Sequence, residues 1–89
     1  MHDHICGKKI LVTGGTGSIG SVIVRELLQY NPAVVRVFSR DESKQFEMRH
    51  ELQNPKLRFL IGDVRDRERM MRACEDIDIV IHAAALKHV

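Results

Sequence analysis

The sequence predicts an α/β fold with a doubly wound parallel sheet, and two patterns indicate it. Four short apolar runs alternate along the 89 residues with three more polar segments that are long enough for helices. That alternation is typical of a parallel sheet whose strands are joined by right-handed helical crossovers. A cluster of glycines directly follows the first apolar run, where a buried strand would turn sharply into a helix. We therefore expect one small domain whose strands all end at the same edge of the sheet.

The composition is that of an ordinary globular protein. Hydrophobic residues make up 44% and charged residues 29%, and the net charge is +2. Acidic and basic residues alternate at 65–69, which predicts a solvated helix face, so this small charge does not predict nucleic-acid binding. No apolar run could cross a membrane and no signal peptide is recognisable, so a cytoplasmic location is expected. Cys6 and Cys74 belong to no metal or redox motif, and no metal site is predicted.

The first strand and helix are marked by a change of hydrophobic period. Ile10–Val12 is a continuous apolar run that ends at Thr13, as in a strand buried on both faces. A helix is predicted from Ser18 until the pair Asn31-Pro32 stops it. Spacings of three and four residues give this helix an apolar stripe, which consists of Ile19, Val22, Ile23 and Leu27.

The second strand has a distinct sequence pattern, whereas the second helix does not. Val34–Phe38 is rich in β-branched residues and predicts a strand. A helix is expected from near Asp41 to Asn54-Pro55, since carboxylates suit the positive end of a helix dipole. Its large apolar residues match neither the helical nor the strand period, and they are Phe46, Met48 and Leu52. A short or irregular helix is therefore an open alternative.

The last predicted elements complete the alternation. Leu57–Ile61 is the third strand, and Asp66 is well placed to cap a helix. That helix is expected to carry Met70, Met71 and Cys74 on one side. Ile77–Ile81 is the fourth strand. Four strands joined in this way correspond to the N-terminal half of a Rossmann fold with strand order 3-2-1-4, whose ligands bind beyond the carboxyl ends of the strands.

The glycines after the first strand fit the pattern G-x-x-G-x-x-G. Gly14 would permit the tight turn off the strand, and Gly17 would let a diphosphate approach the backbone. Gly20 would let the helix press against the sheet. A plain structural turn is the alternative, but the preceding strand and the following helix favour a dinucleotide site. No Lys-Ser or Lys-Thr pair follows the loop, which argues against an ATP-binding P-loop.

The residues between these glycines are the predicted diphosphate ligands. Backbone amides of Thr16–Ile19 would face the phosphates at the positive end of the helix dipole. The hydroxyls of Thr16 and Ser18 could add hydrogen bonds.

The end of the second strand predicts which dinucleotide binds. An NAD site keeps an acidic residue there to hold the ribose hydroxyls, but this chain has Ser39 and Arg40. The Arg40 guanidinium suits a 2′-phosphate, and Lys44 lies one helical turn beyond it. Asp41 leaves NAD open as the less favoured cofactor, because its carboxylate could turn towards the ribose or could merely begin a helix. The predicted cofactor is NADP.

Two further loops complete the predicted site. Asp63 could accept a hydrogen bond from the adenine amino group, with Val64 against the ring. A simple turn-forming aspartate is the alternative. Ala83 and the two alanines after it would leave room for the nicotinamide-side ribose, or they begin a helix.

Four segments together resemble the extended short-chain dehydrogenase/reductases. They are Val12–Gly20, Phe38–Glu42, Gly62–Asp66 and His82–Val89. More narrowly, the chain is similar to the polysaccharide-biosynthesis branch that contains the inverting UDP-N-acetylglucosamine 4,6-dehydratases. The resemblance implies an enzyme, multimeric in its relatives, that oxidises the sugar C4 with bound NADP, eliminates water across C5 and C6, and reduces C6.

The resemblance also implies roles by matching position. Thr16–Ile19, Ser39–Lys44, Asp63, Val64 and Ala83 would bind the cofactor. Lys87 would lie where the cofactor meets the nucleotide-sugar substrate, although a lysine after a strand is more often exposed to solvent.

The family's catalytic residues lie on later strands and have no counterpart in this sequence. Tyr30 follows the far end of the first helix and cannot replace a catalytic tyrosine. We therefore expect a partial Rossmann domain, residues 1–89, with a cofactor site but no acid–base machinery. A nucleotide-sugar 4-epimerase or reductase is the nearest alternative, and a nonenzymatic NADP-sensing domain is another.

Overall fold

A computed structural model describes residues 4–83 of the chain. Strands and helices alternate throughout this range, as the sequence predicts. In chain order they are β1 (Lys9–Thr13), α1 (Ser18–Leu28), β2 (Val34–Ser39), α2 (Glu42–Leu52), β3 (Leu57–Ile61), α3 (Arg67–Ala73) and β4 (Ile79–His82).

The four strands form one parallel sheet in the order β3-β2-β1-β4, which confirms the predicted Rossmann topology. Thr13 at the end of β1 pairs with Phe38 on one side and His82 on the other. Ser39 at the end of β2 pairs with Ile61. The strands therefore end nearly level, and the loops that follow them meet at one edge.

The core lies on both faces of the sheet. On one face, alternate residues of β1 and β2 pack against α1 and α2, with Val24 and Met48 as the helical contacts. On the other face, Leu11 and Phe38 pack with Ala73 of α3. This two-sided burial explains why β1 and β2 are continuous apolar runs rather than alternating ones.

The predicted apolar stripe of α1 is wrong in part. Val22 is 64% exposed and Ile19 also faces outward, whereas the buried residues are Gly20, Val24 and Leu27. These three are spaced by four and three residues, so they form a stripe of their own. Gly20 belongs to it because that face of the helix packs against the backbone of the glycine loop.

The second helix is regular despite its weak pattern. Gln45 is buried, and its side-chain amide donates to the Ser39 hydroxyl and to the Leu60 carbonyl. The core-facing stripe is therefore Gln45, Met48 and Leu52, and a polar residue at the first position hides it from a hydrophobicity pattern. Phe46 points outward.

Two smaller predictions at the end of the chain also need correction. In α3 the buried residue is Ala73, while Met71 is exposed and only Met70 and Cys74 of the predicted set pack inward. The fourth strand begins at Ile79 rather than Ile77, because the Ile77 amide donates to the Cys74 carbonyl in a turn. Among residues 4–83, no helix is a candidate to cross a membrane, and the longest have 11 residues.

Candidate functional site

A cleft of about 860 Å³ opens at the carboxyl edge of the sheet. The loops that follow β1, β2 and β3 form its walls. The lining residues are Gly14, Thr16, Gly17, Phe38, Ser39, Arg40, Asp41, Glu42, Ser43, Lys44, Gly62, Asp63, Val64 and Arg65. Nine of the residues predicted from the sequence as cofactor ligands therefore lie around one opening, and they are Gly14, Thr16, Gly17, Ser39, Arg40, Asp41, Lys44, Asp63 and Val64.

The glycine loop needs glycine for different reasons at its three motif positions. Gly14 has a φ of +67°, a left-handed conformation that side chains disfavour. At Gly20 an added Cβ would overlap the Gly14 carbonyl oxygen, so this glycine allows α1 to approach the loop. At Gly17 an added Cβ would lie 3.4 Å from that oxygen and otherwise in open space. Gly17 is therefore dispensable for the fold, and its missing side chain leaves room on the cleft wall.

The N-terminus of α1 lies beside this opening without a side-chain cap. Gly17 is its N-cap residue, and its first turn carries no acidic residue. The other helices differ, because the Asp41 carboxylate accepts from the Lys44 amide in α2 and the Asp66 carboxylate accepts from the Arg69 amide in α3. The first amides of a helix have no partner within the helix and carry the positive end of its dipole. This end of α1 is suited to an anion.

Basic side chains stand at the rim of the cleft after β2. The Arg40 side chain is 68% exposed, and its Nη1 lies 3.5 Å from Asp63 Oδ2. Lys44 is exposed on the first turn of α2. Ser39 is buried, and its hydroxyl accepts from Gln45 while keeping its own proton to donate. Asp41 also lines the cleft, and its Oδ1 accepts from the Lys44 amide at 3.0 Å as the cap of α2.

In the loop after β3, the Asp63 carboxylate is bound by the backbone and the side chain of Arg65. Asp63 Oδ1 accepts from the Arg65 amide at 2.9 Å, and Arg65 Nη2 lies 2.9 Å from Asp63 Oδ2. Hydrogen bonds from the Arg65 side chain and backbone hold the pKa of the Asp63 carboxyl well below its usual range, and the charges of Arg65 and Arg40 add to this. Val64 lines the cleft and also packs against the core cluster of Phe38.

Some predicted residues lie off the cleft surface. Ser18, Ile19 and Gly20 form the first turn of α1 behind Gly17 and do not line the opening. Ala83 follows β4 and is buried in the core cluster beside β1. Lys87 and the alanines at 84 and 85 lie outside the described residues.

Three residues line the cleft without having been predicted as site residues: Phe38, Gly62 and the charged Arg65. The alternating charges at 65–69 predict one solvated helix face, but α3 begins at Arg67 and Arg65 belongs to the loop. The signal was present in part, because an aspartate two residues before Arg65 is typical of a turn in which its carboxylate accepts from the backbone.

A second pair of side chains links the ends of β1 and β4. Thr13 Oγ1 and His82 Nδ1 lie 2.6 Å apart, next to the glycine loop. Tyr30 lies beyond the opposite end of α1, where its hydroxyl donates to Glu26, and this bond raises the pKa of Tyr30. A general base of the tyrosinate type would need the opposite shift. Within residues 4–83, no three potential metal ligands come together.

Comparisons with known proteins identify relatives over nearly all of this chain. The family model described as "Polysaccharide biosynthesis protein" matches residues 10–89. An inverting UDP-N-acetylglucosamine 4,6-dehydratase of Campylobacter jejuni is 54% identical over 83 residues, which are 92% of this chain and 25% of that relative. A UDP-glucose 4-epimerase of Rickettsia bellii is 48% identical over 87 residues, with the same two coverages.

Two further matches are similar to this chain at 48% identity or more. An uncharacterized membrane protein of Methanocaldococcus jannaschii is 58% identical over 82 residues, covering 92% of this chain and 25% of that relative. The X-ray structure of Pen from Bacillus thuringiensis superimposes with a TM-score of 0.88 at 48% identity, covering 96% of this chain and 26% of Pen. The chain thus spans about a quarter of the length of the curated relatives it matches.

Proposed function

The chain belongs to the polysaccharide biosynthesis protein family, and from that premise we propose that it is the NADP-binding part of a nucleotide-sugar 4,6-dehydratase acting on UDP-N-acetylglucosamine. The observation that carries the proposal is the cleft of about 860 Å³ at the carboxyl edge of the sheet. Its size falls within the range of roughly 300–1,000 Å³ that is usual for ligand pockets. The 54% identity with the Campylobacter jejuni dehydratase supports the choice of reaction.

The residues of the cleft fit a dinucleotide. The amides of Thr16, Ser18 and Ile19 would hold the diphosphate at the uncapped end of α1, whereas the Gly17 amide already donates to the Gly14 carbonyl at 3.0 Å. Gly17 contributes by having no side chain that would obstruct the diphosphate. Ser39, Arg40 and Lys44 would hold the 2′-phosphate, with Asp63 and Val64 at the adenine.

The choice of NADP over NAD rests on the end of β2. An NAD site needs a carboxylate free to accept from two ribose hydroxyls. Asp41 is the candidate here, and its carboxylate is already the cap of α2. Arg40 is exposed at the rim and has donors available for phosphate oxygens.

Arg40→Ala should therefore weaken NADP binding at least tenfold more than NAD binding, because a bidentate bond to a dianion is lost. Calorimetric titration of both cofactors into the complete polypeptide measures this, with Arg67→Ala as a control arginine outside the cleft. Equal losses for the two cofactors would contradict the 2′-phosphate assignment.

Bound NADP would supply reversible hydride transfer with the sugar. Residues of this chain would bind the cofactor, exclude water from its diphosphate and fix its orientation. No catalytic residue is assigned within residues 1–89, and we propose that the acid and base come from sequence outside them. Lys87 remains our predicted contact between cofactor and substrate.

The reaction is tested with the complete polypeptide, NADP and UDP-N-acetylglucosamine. We expect a product that is lighter than the substrate by one water, detected by mass spectrometry. At limiting NADP, the Gly17→Ala variant should form this product more slowly, because it binds the cofactor more weakly. A nucleotide-sugar 4-epimerase is the second candidate, since the Rickettsia bellii relative is 48% identical. An isomer of unchanged mass would favour it, and tight NADP binding without turnover of nucleotide sugars would favour a sensing domain.

A further inference from the structure

Asp63 lies between two guanidinium groups that are not equivalent. Arg65 makes three side-chain contacts with its carboxylate, from Nε at 3.2 and 3.3 Å and from Nη2 at 2.9 Å. Arg40 makes a single contact at 3.5 Å, the limit of a hydrogen bond. The carboxylate is therefore held by Arg65 and only approached by Arg40.

The loop geometry keeps Arg65 in this position. Its own backbone amide donates to Asp63 Oδ1 at 2.9 Å, so the backbone and the side chain of Arg65 both bind the same carboxylate. Paired hydrogen bonds from a guanidinium to a carboxylate are directional as well as strong. The Arg65 side chain is otherwise 79% exposed, so the core does not require it.

We propose that Arg65 is a positioning residue for cofactor selectivity, which holds Asp63 so that Arg40 stays available for a phosphate monoester on the ribose. This inference rests on the proposed function. An unheld Asp63 would turn to Arg40, the other cation already within 4 Å of it, and would neutralise the charge that a 2′-phosphate needs. Arg65 prevents that competition without touching the phosphate itself.

The other charges at the cleft do not replace Arg65. Asp41 is engaged at the start of α2, and Glu42 and Lys44 are exposed on the first turn of the same helix. None of these forms an ion pair with Asp63 among the described residues. The selectivity effect is thus confined to the set Arg40, Asp63 and Arg65.

The test compares dissociation constants of NADP and NAD, measured by calorimetry on the complete polypeptide. The ratio of the two constants is the readout, since losses at the adenine or in overall stability affect both cofactors alike. Arg65→Ala should reduce the preference for NADP by about two- to fivefold, the size expected for an exposed ion pair. Arg67→Ala, two residues further on, is the matched control and should leave the ratio unchanged.

A double variant separates positioning from direct contact. In Arg65→Ala with Asp63→Asn, no carboxylate competes for Arg40, so the NADP preference should return to the parent value or exceed it. Arg65→Lys, which keeps the charge but loses the paired bonds, should fall between the parent and Arg65→Ala, and it serves as the test if the alanine variant does not fold.

Three results would overturn the inference or its basis in distinguishable ways. An unchanged ratio in both Arg65 variants would show that Arg65 does not influence selectivity. A preference lost in Arg65→Ala but not restored by Asp63→Asn would make Arg65 a direct phosphate ligand instead. If the parent protein prefers NAD, or if Arg40→Ala leaves the ratio unchanged, it is the proposed cofactor that fails.

Discussion

At the scale of single residues, two glycines of the first loop serve different purposes: Gly20 is needed for the fold, and Gly17 is proposed to serve cofactor binding. Gly20 has backbone atoms of the loop in the place where a Cβ would go, whereas Gly17 has open space. The sequence motif assigns Gly17 to the diphosphate and Gly20 to close packing of the helix, but it does not say whether Gly20 meets the sheet or the backbone of the loop itself. That distinction depends on the distance between α1 and the loop, which only the three-dimensional packing defines.

Gly17→Ala and Gly20→Ala form a matched pair for this reason. Gly17 has φ −73° and ψ 176°, a conformation that alanine adopts readily, so its variant should melt within a few degrees of the parent yet bind NADP at least tenfold more weakly. Gly20→Ala should lower the melting temperature by roughly 5 °C or more, since the helix must move away from the loop. Thermal melts and calorimetry measure both properties. Equal melting temperatures, or unimpaired binding by Gly17→Ala, would contradict this assignment.

The ion pair of Asp63 predicts how the free energy of unfolding depends on pH. Its pKa is lowered in the folded protein, mainly by the hydrogen bonds from Arg65, and is about 3.9 in an unfolded chain. A lowered folded pKa means that the ion pair stabilises the protein above about pH 4 and that this contribution is lost on further acidification. The difference in free energy of unfolding between the parent and Asp63→Asn should thus be larger at pH 6 than at pH 3. Urea unfolding at both values tests it, and a difference that does not change with pH would count against the pairing.

At the scale of elements, the sequence predicts most of this fold because strong local signals coincide. Apolar β-branched runs mark the strands, and Asn-Pro pairs and capping aspartates mark the helix ends. The predicted third strand has the observed bounds, Leu57–Ile61, and Asp66 is the cap that its position indicates.

The failures at this scale have a common physical cause. In α1 and α3, the hydrophobic pattern predicts that the large apolar residues face the core. Instead, Val22 and Met71 face outward, while Gly20 and Ala73 face inward. Small residues allow helices to approach the sheet closely, and a hydrophobicity pattern gives them little weight. In α2, Gln45 is buried because two backbone or hydroxyl acceptors satisfy its amide, which hydropathy alone cannot anticipate.

The N-cap residue of α2, Asp41, gives a prediction about stability at this scale. As the N-cap of α2, its replacement by alanine should reduce the free energy of unfolding by about 1 kcal/mol. The preference for NADP over NAD should remain, since the carboxylate serves the helix rather than the ribose. Asp66→Ala, the cap of α3, is the control for the stability loss. A large change in cofactor preference with Asp41→Ala would instead indicate that Asp41 contacts the ribose.

At the scale of the whole molecule, the topology was predictable and the site's internal pairing was not. Strand order 3-2-1-4 is that of the N-terminal half of a Rossmann fold, and the parallel strands bring the three cofactor loops to one edge. The ion pairs of Asp63 depend on side-chain reach across two loops, which a linear pattern does not define. The predicted resemblance to the polysaccharide-biosynthesis branch is confirmed by the family match over residues 10–89. Oligomeric state and a cytoplasmic location stay predictions.

The edge strand predicts how residues 1–89 behave on their own. Within the described residues 4–83, β4 pairs on one side only, with β1, and Val80 is 48% exposed. An unpaired apolar edge is prone to association, and a domain of this size buries little surface. The isolated segment should therefore melt at lower temperature than the same segment within the complete polypeptide, and it should associate as its concentration rises. Cooperative, concentration-independent melting above about 65 °C, the upper mesophile range, would refute this expectation.

The most direct test of the whole account is a crystal structure of the complete polypeptide with NADP. We predict a diphosphate within hydrogen-bond distance of the amides of Thr16, Ser18 and Ile19. We also predict a 2′-phosphate on Arg40, with Asp63 still paired with Arg65. A nucleotide bound elsewhere, or a cleft without nucleotide at saturating NADP, would contradict the claim that these three loops form a dinucleotide site.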